Sequence, residues 1–103
     1  TIRYFDGELD ELVVGFASPV RAKILRTIDL LERFGHHLGM PHSKQIERNL
    51  FALRIRGRQD VRIFYTIRND DAILLHGFMK KSMKIPAREV ATARRKLAAL
   101  DSV

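Results

Sequence analysis

The chain has no cysteine among its 103 residues. Disulfides, thiolate metal sites and a cysteine nucleophile are thereby excluded, and a reducing, cytoplasmic setting is expected. It also has no apolar run approaching the ~18–20 residues that span a bilayer. The opening stretch Thr1–Asp10 lacks the cationic and apolar blocks of a secretory signal, so no membrane partner is expected. Paired carboxylates, glycine-rich phosphate loops and a Ser-His-Asp set are missing too, which removes the usual signatures of glycosidases, nucleotide hydrolases and serine hydrolases. No linker, repeat or low-complexity segment interrupts the chain, so residues 1–103 read as one domain around one core.

What is present suits a packed globule: 46% of residues are hydrophobic, with six Phe and two Tyr. The net charge is +7, and it is unevenly placed. Residues 1–43 hold five Lys/Arg against six Asp/Glu, whereas residues 44–96 hold fourteen against five. A basic excess confined to one half of a small domain favours a polyanionic partner, nucleic acid first.

Ile2 to Tyr4 alternate as a short strand that stops at Asp6-Gly7. Leu9, Leu12, Val13 and Phe16 put one apolar stripe on a short helix. Ser18-Pro19 restarts the chain as N-cap and first helical residue, and Val20, Ile24, Ile28 and Leu31 stripe a second helix that Gly35 ends. Residues 35–49, with three His, read as a loop. The period then becomes two: Leu50–Arg56, Val61–Ile67 and Ala72–Lys80 are strands, separated by turns at 57–60 and at Asn69-Asp70-Asp71. Pro86 opens a last helix striped by Val90, Ala93, Leu97 and Leu100. The class is α+β in the order β-α-α-β-β-β-α. The last three strands form an antiparallel meander with the N-terminal helix hairpin on one face.

Six cations within a span of thirty-one positions, on or after these strands, form the candidate set: Arg54, Arg56, Arg62, Lys80, Lys81 and Lys84. Arg54 and Arg56 share a strand face by period two, Arg62 lies within reach across a turn, and the three lysines sit where the third strand exits. Arginine grips phosphate with two parallel bonds and lysine brings a movable charge. Phe64 and Tyr65 alternate across their strand, so one can face the arginines and stack on a base while the other is core; parity with Arg62 favours Phe64. His36, His37 and His42 have no acidic partner in sequence and no zinc-site spacing, and no metal is expected. His76, inside an apolar strand beside Gly77, is either a hydrogen-bonded sheet residue or a proton donor or acceptor at the active face.

The runs LRIRG (Leu53–Gly57), VRIFY (Val61–Tyr65) and LLHGFMKKSMKIP (Leu74–Pro86), with AREVATARR (Ala87–Arg95) and the upstream Val20–Lys44, resemble the phage-derived HigB-like branch of the RelE/ParE toxins. The resemblance implies a RelE-like fold: two helices, a small twisted antiparallel sheet and a C-terminal helix. It implies a type II toxin-antitoxin toxin, an endoribonuclease that needs no cofactor, cuts mRNA at the ribosome and leaves a 2′,3′-cyclic phosphate. It also implies a cognate HigA-like antitoxin of helix-turn-helix type, joined to the toxin in a hetero-oligomer. Carried onto this sequence, it puts Arg54, Arg56, Lys80, Lys81 and Lys84 on the functional surface, with Arg62 beside them. Joined to the reading of the residues above, the expected catalytic set is Arg56, Lys80, Lys81, Lys84 and His76, and the expected RNA contacts are Arg54, Arg62, Phe64 and Tyr65. The base that accepts the 2′-OH proton is a lysine crowded by other cations, or His76. Two departures stand out: Ala52 occupies a position where relatives often have Glu, and no Tyr lies near the C-terminus. A ParE-like gyrase inhibitor and a non-catalytic RNA- or ribosome-binding module are the alternatives.

Overall fold

The meander of three hydrophobic strands forms the centre of the sheet in a computed structural model, which describes residues 1–102. The elements are β1 (Ile2–Tyr4), α1 (Glu8–Val14), α2 (Ser18–Phe34), a 3-10 turn (Gly35–His37), β2 (Ser43–Glu47), β3 (Leu50–Ile55), β4 (Val61–Arg68), β5 (Asp71–Met79) and α3 (Ala87–Asp101). Strand order is β1-β5-β4-β3-β2, with β1 parallel to β5 and every other pair antiparallel.

Two expectations are corrected. The sheet is mixed rather than wholly antiparallel, because β1 adds in parallel beside β5. The stretch expected as a loop contains a fifth strand, β2, an edge strand whose one large aliphatic side chain, Ile46, left almost no hydrophobic alternation to detect. A smaller correction concerns Ser18: Ala17 is the N-cap of α2, Ser18 lies inside the first turn, and no side chain caps it. Gly35 does end α2, at a φ of 55° that few side chains tolerate, with its N–H on the Leu31 carbonyl. Asn69 makes the two-residue β4–β5 turn, also at a φ of 55°.

Period two then sorts the strands into two layers. Leu53, Ile55, Val61, Ile63 and Tyr65 face α1 and α2, where Leu9, Ile24, Ile28 and Leu31 close the first core. Leu50, Ala52, Phe64, Ile73, Leu75 and Phe78 face the other way, against Ala93 of α3. A bulge makes this possible on β5: pairing jumps from Phe64↔His76 to Tyr65↔Leu74, leaving Leu75 without a partner. Leu74 thus joins the first core and Leu75 the second. Ile63 pairs with Gly77, where α1 comes close enough that an added Cβ would lie 2.5 Å from Leu9 Cδ1.

α3 packs on β5 and β4 and is fixed at its margins by charge. Arg94 donates two bonds to Glu47 of β2, at 2.7 and 2.8 Å, and Arg68 reaches Asp101 at 2.6 Å. Lys96 is 2% exposed, with Nζ 3.0 Å from Asp6 and 2.9 Å from Glu8 and lying over the Phe5 ring. α3 therefore lies mainly over β5 and β4, and beside it the face carrying Arg54 and Arg62 stays open.

Candidate nucleic-acid interface

The open part of that face is a groove of about 460 Å³. Its floor is aliphatic, from Ile46 on β2, Ala52 on β3 and Ile85 before α3, and Met40 and Met83 flank it. Six cations surround this floor: Lys44, Arg54, Arg56, Arg62, Lys80 and Lys84. The lining holds no carboxylate and no imidazole side chain.

Sheet register explains the convergence. Arg54 and Arg62 are directly opposed on β3 and β4, so their side chains leave the same face, and Lys44 lies opposite Ala52 on the next strand. Arg56 follows just past the end of β3. Lys80 leaves β5 tied down: its N–H bonds the Asp60 carbonyl at 2.7 Å and its Nζ donates to the Ser82 carbonyl at 2.6 Å. Ser82 Oγ in turn donates to the Lys84 carbonyl at 2.8 Å, which curls the connection around the groove.

The three arginines differ in kind. Arg62 is 4% exposed and paired with Asp60, so it is a buried, partly neutralised cation rather than a free hand for phosphate. Arg56 is exposed. Arg54 is half-buried and its guanidinium is pulled below its usual pKa, first by desolvation and then by repulsion from Arg56 and Arg62, with Asp60 acting the other way. A bound anion would relieve that repulsion.

Of the residues singled out from sequence, Arg54, Arg56, Arg62, Lys80 and Lys84 line the groove together. Lys81 is exposed and outside the lining. The expectation of a base-stacking aromatic is corrected: Phe64 is 0% and Tyr65 2% exposed. Phe64 does lie on the arginine face, as parity required, but α3 covers it and its ring stacks on Phe78 at 5.7 Å. Tyr65 is on the other face, where its hydroxyl pairs with Ser43; burial raises the phenol's pKa despite that bond. His76 is also outside the groove lining. Its Nε2 is 2.8 Å from Glu89 Oε1, linking β5 to the first turn of α3. Sequence reasoning missed Lys44, Met40 and Met83; once Ser43–Glu47 is a strand, period two aligns Lys44 with Ile46 on the groove side.

Among the described residues, no group of three or more His, Cys, Asp or Glu side chains could hold a metal ion. No helix is long and apolar enough to cross a membrane. No curated protein matches the chain. Residues 11–98 match a family model, that of "Phage derived protein Gp49-like (DUF891)".

Proposed function

Because the chain belongs to the phage-derived Gp49-like family, within the RelE/HigB-type toxin superfamily, we propose that it is a HigB-like toxin whose groove cuts messenger RNA. The observation that supports this most is the convergence of six cations on one aliphatic-floored groove. The floor suits the flat, apolar face of a base, and the cations other than the Asp60-paired Arg62 suit the phosphates on either side.

The reaction that fits such a lining is attack of a ribose 2′-oxygen on the adjacent phosphorus. The bond from phosphorus to the 5′-oxygen breaks, leaving a 2′,3′-cyclic phosphate and a 5′-hydroxyl. Negative charge builds on the five-coordinate phosphoryl oxygens, and Arg54 and Arg56 are the guanidiniums placed to stabilise it. The 2′-OH proton needs an acceptor within the lining, where the amines of Lys44 and Lys84 are the remaining polar groups, Lys80 being held by Ser82. His76 has no step in this scheme and instead helps to hold α3. No step calls for a metal. An acidic antitoxin segment, from a HigA-like partner in a hetero-oligomer, would inhibit by covering Arg54, Arg56 and the Lys80–Lys84 rim. Action at the ribosome belongs to the same proposal.

The test is to express the chain in a bacterial host and map new mRNA 5′ ends, beside an Arg54→Ala/Arg56→Ala variant. Cuts inside translated frames, reduced at least ~100-fold in the variant, are expected. Growth arrest with intact mRNA would shift the assignment to a gyrase-type target. Absence of both arrest and cuts would leave a binding module.

A further inference from the structure

A second basic groove, of about 410 Å³, lies along α2, lined by Lys23, Arg26, Arg33 and His42 with Thr27, Leu30 and one carboxylate, Asp29. Lys23, Arg26 and Arg33 are exposed, and among the described residues none of them makes an ion pair. On α3, by comparison, Arg94 and Lys96 are satisfied by carboxylates, while Arg88 and Arg95 make no ion pair among the described residues. Helical spacing strings the three cations over ten residues, about 15 Å.

The two grooves meet. Met40 lines the first and His42, two residues later, lines the second. Arg54 touches both ends of this divide: its guanidinium is 3.4 Å from Met40 Sδ and its N–H bonds the His42 carbonyl at 2.8 Å. At the β3–β4 turn, Arg56 belongs to the first groove, and a Cβ on its neighbour Gly57 would lie 3.1 Å from Lys23 Nζ of the second. Unpaired cations thus continue from the first groove around the end of β3 onto α2.

We propose that this second groove is a binding site for the backbone of single-stranded RNA whose neighbouring nucleotides occupy the first. The inference rests on the reading of the first groove as an RNA site. Continuity favours RNA over an acidic polypeptide: a strand that enters the first groove and extends past Met40–His42 meets Lys23, Arg26 and Arg33 next. The three cations along the helix face can neutralise about three phosphates of such a strand.

Binding of two 2′-O-methyl oligouridylates, which cannot be cut because the attacking hydroxyl is blocked, distinguishes the possibilities. One has about four nucleotides and the other about twelve, bracketing one- and two-groove occupancy. Lys23→Gln/Arg26→Gln/Arg33→Gln is expected to weaken the long oligonucleotide about tenfold or more and to reduce its salt slope by about 2, while the short one is unchanged. Asp29→Asn is expected to tighten the long oligonucleotide, an outcome that misfolding cannot imitate. Equal binding of the long oligonucleotide by the wild type and the triple variant would overturn the proposal. So would a triple variant that loses only polyglutamate binding, since the surface would then be a protein contact. Arg54→Ala/Arg56→Ala separates the layers: if that variant binds the short oligonucleotide as well as wild type does, the reading of the first groove is what fails.

Discussion

Asp6→Ala/Glu8→Ala is expected to cost about 3–5 kcal/mol of folding stability, and Lys96→Met less than about 1 kcal/mol. The three residues make one cluster, but its burial is one-sided. The Lys96 side chain is 3% exposed, whereas those of Asp6 and Glu8 are 31% and 70% exposed. Deleting the carboxylates strands an ammonium in the interior beside the Phe5 ring, and also removes the Asp6 acceptor of the Glu8 N–H. Deleting the ammonium leaves two carboxylates that water can reach, and methionine fills the channel through which the lysine stem ran. Urea unfolding of both variants decides the matter. Equal losses would mean that the attraction itself, rather than burial of the cation, holds α3 to the N-terminal segment.

The same cluster sets an acid limit. Burial pushes the Asp6 carboxyl up, but the Lys96 bond, the Glu8 amide and the charges of Lys96 and His76 together outweigh it, so its pKa is lowered. A carboxyl depressed in the folded state stabilises the fold above its unfolded pKa, near 4, and that contribution fades as pH falls through the lower folded value. Unfolding midpoints are therefore expected to fall below about pH 4, less steeply in Lys96→Met. Parallel acid limbs in the two proteins would count against Asp6 as the source.

Gly77→Val is expected to cost about 3 kcal/mol, and Gly77→Ala about 1–2 kcal/mol, through overpacking. The Cβ would lie 2.5 Å from Leu9 Cδ1 and 3.2 Å from Leu12 Cδ2. Leu9 is 3% exposed and has little room to turn aside. Leu9→Ala alone should cost about 2–5 kcal/mol by leaving a cavity. The double variant Leu9→Ala/Gly77→Ala should lose clearly less than the sum of the singles, because each change opens or fills the space of the other. Strict additivity would mean that α1 moves away from β5 rather than clashing with it.

The parts of this fold that were legible in the sequence are those in which one residue decides locally. Val20, Ile24, Ile28 and Leu31 wrote the inner face of α2, and Gly35 its end. Period two put Arg54 and Arg56 on one face with Arg62 in reach, and the register sets Arg62 opposite Arg54. What could not be read depends on contacts between distant segments. β2 exists because β3 offers it an edge, not because Ser43–Glu47 is hydrophobic. Phe64 was placed on the correct face, but nothing local says that α3 lies over it. Lys96 resembles a solvated helix residue until Asp6 and Glu8 arrive from ninety residues upstream. Arg62 looked like a free cation until Asp60 claimed it. In each case the missing information was the partner, which hydrophobic patterning does not encode.

The pairing of β1 with β5 bears on when the protein can fold at all. Ile2 has its register partner in Ala72, seventy residues later. At a synthesis rate of 5–20 residues per second, the first strand waits about 4–14 seconds for the strand it lies against. Lys96, which ties down the β1–α1 junction, is made later still. A growing chain cannot close its sheet from the N-terminus in the order of synthesis. Assembly is deferred until β5 and α3 have emerged, and during that interval the growing chain lacks the α3 that frames the groove.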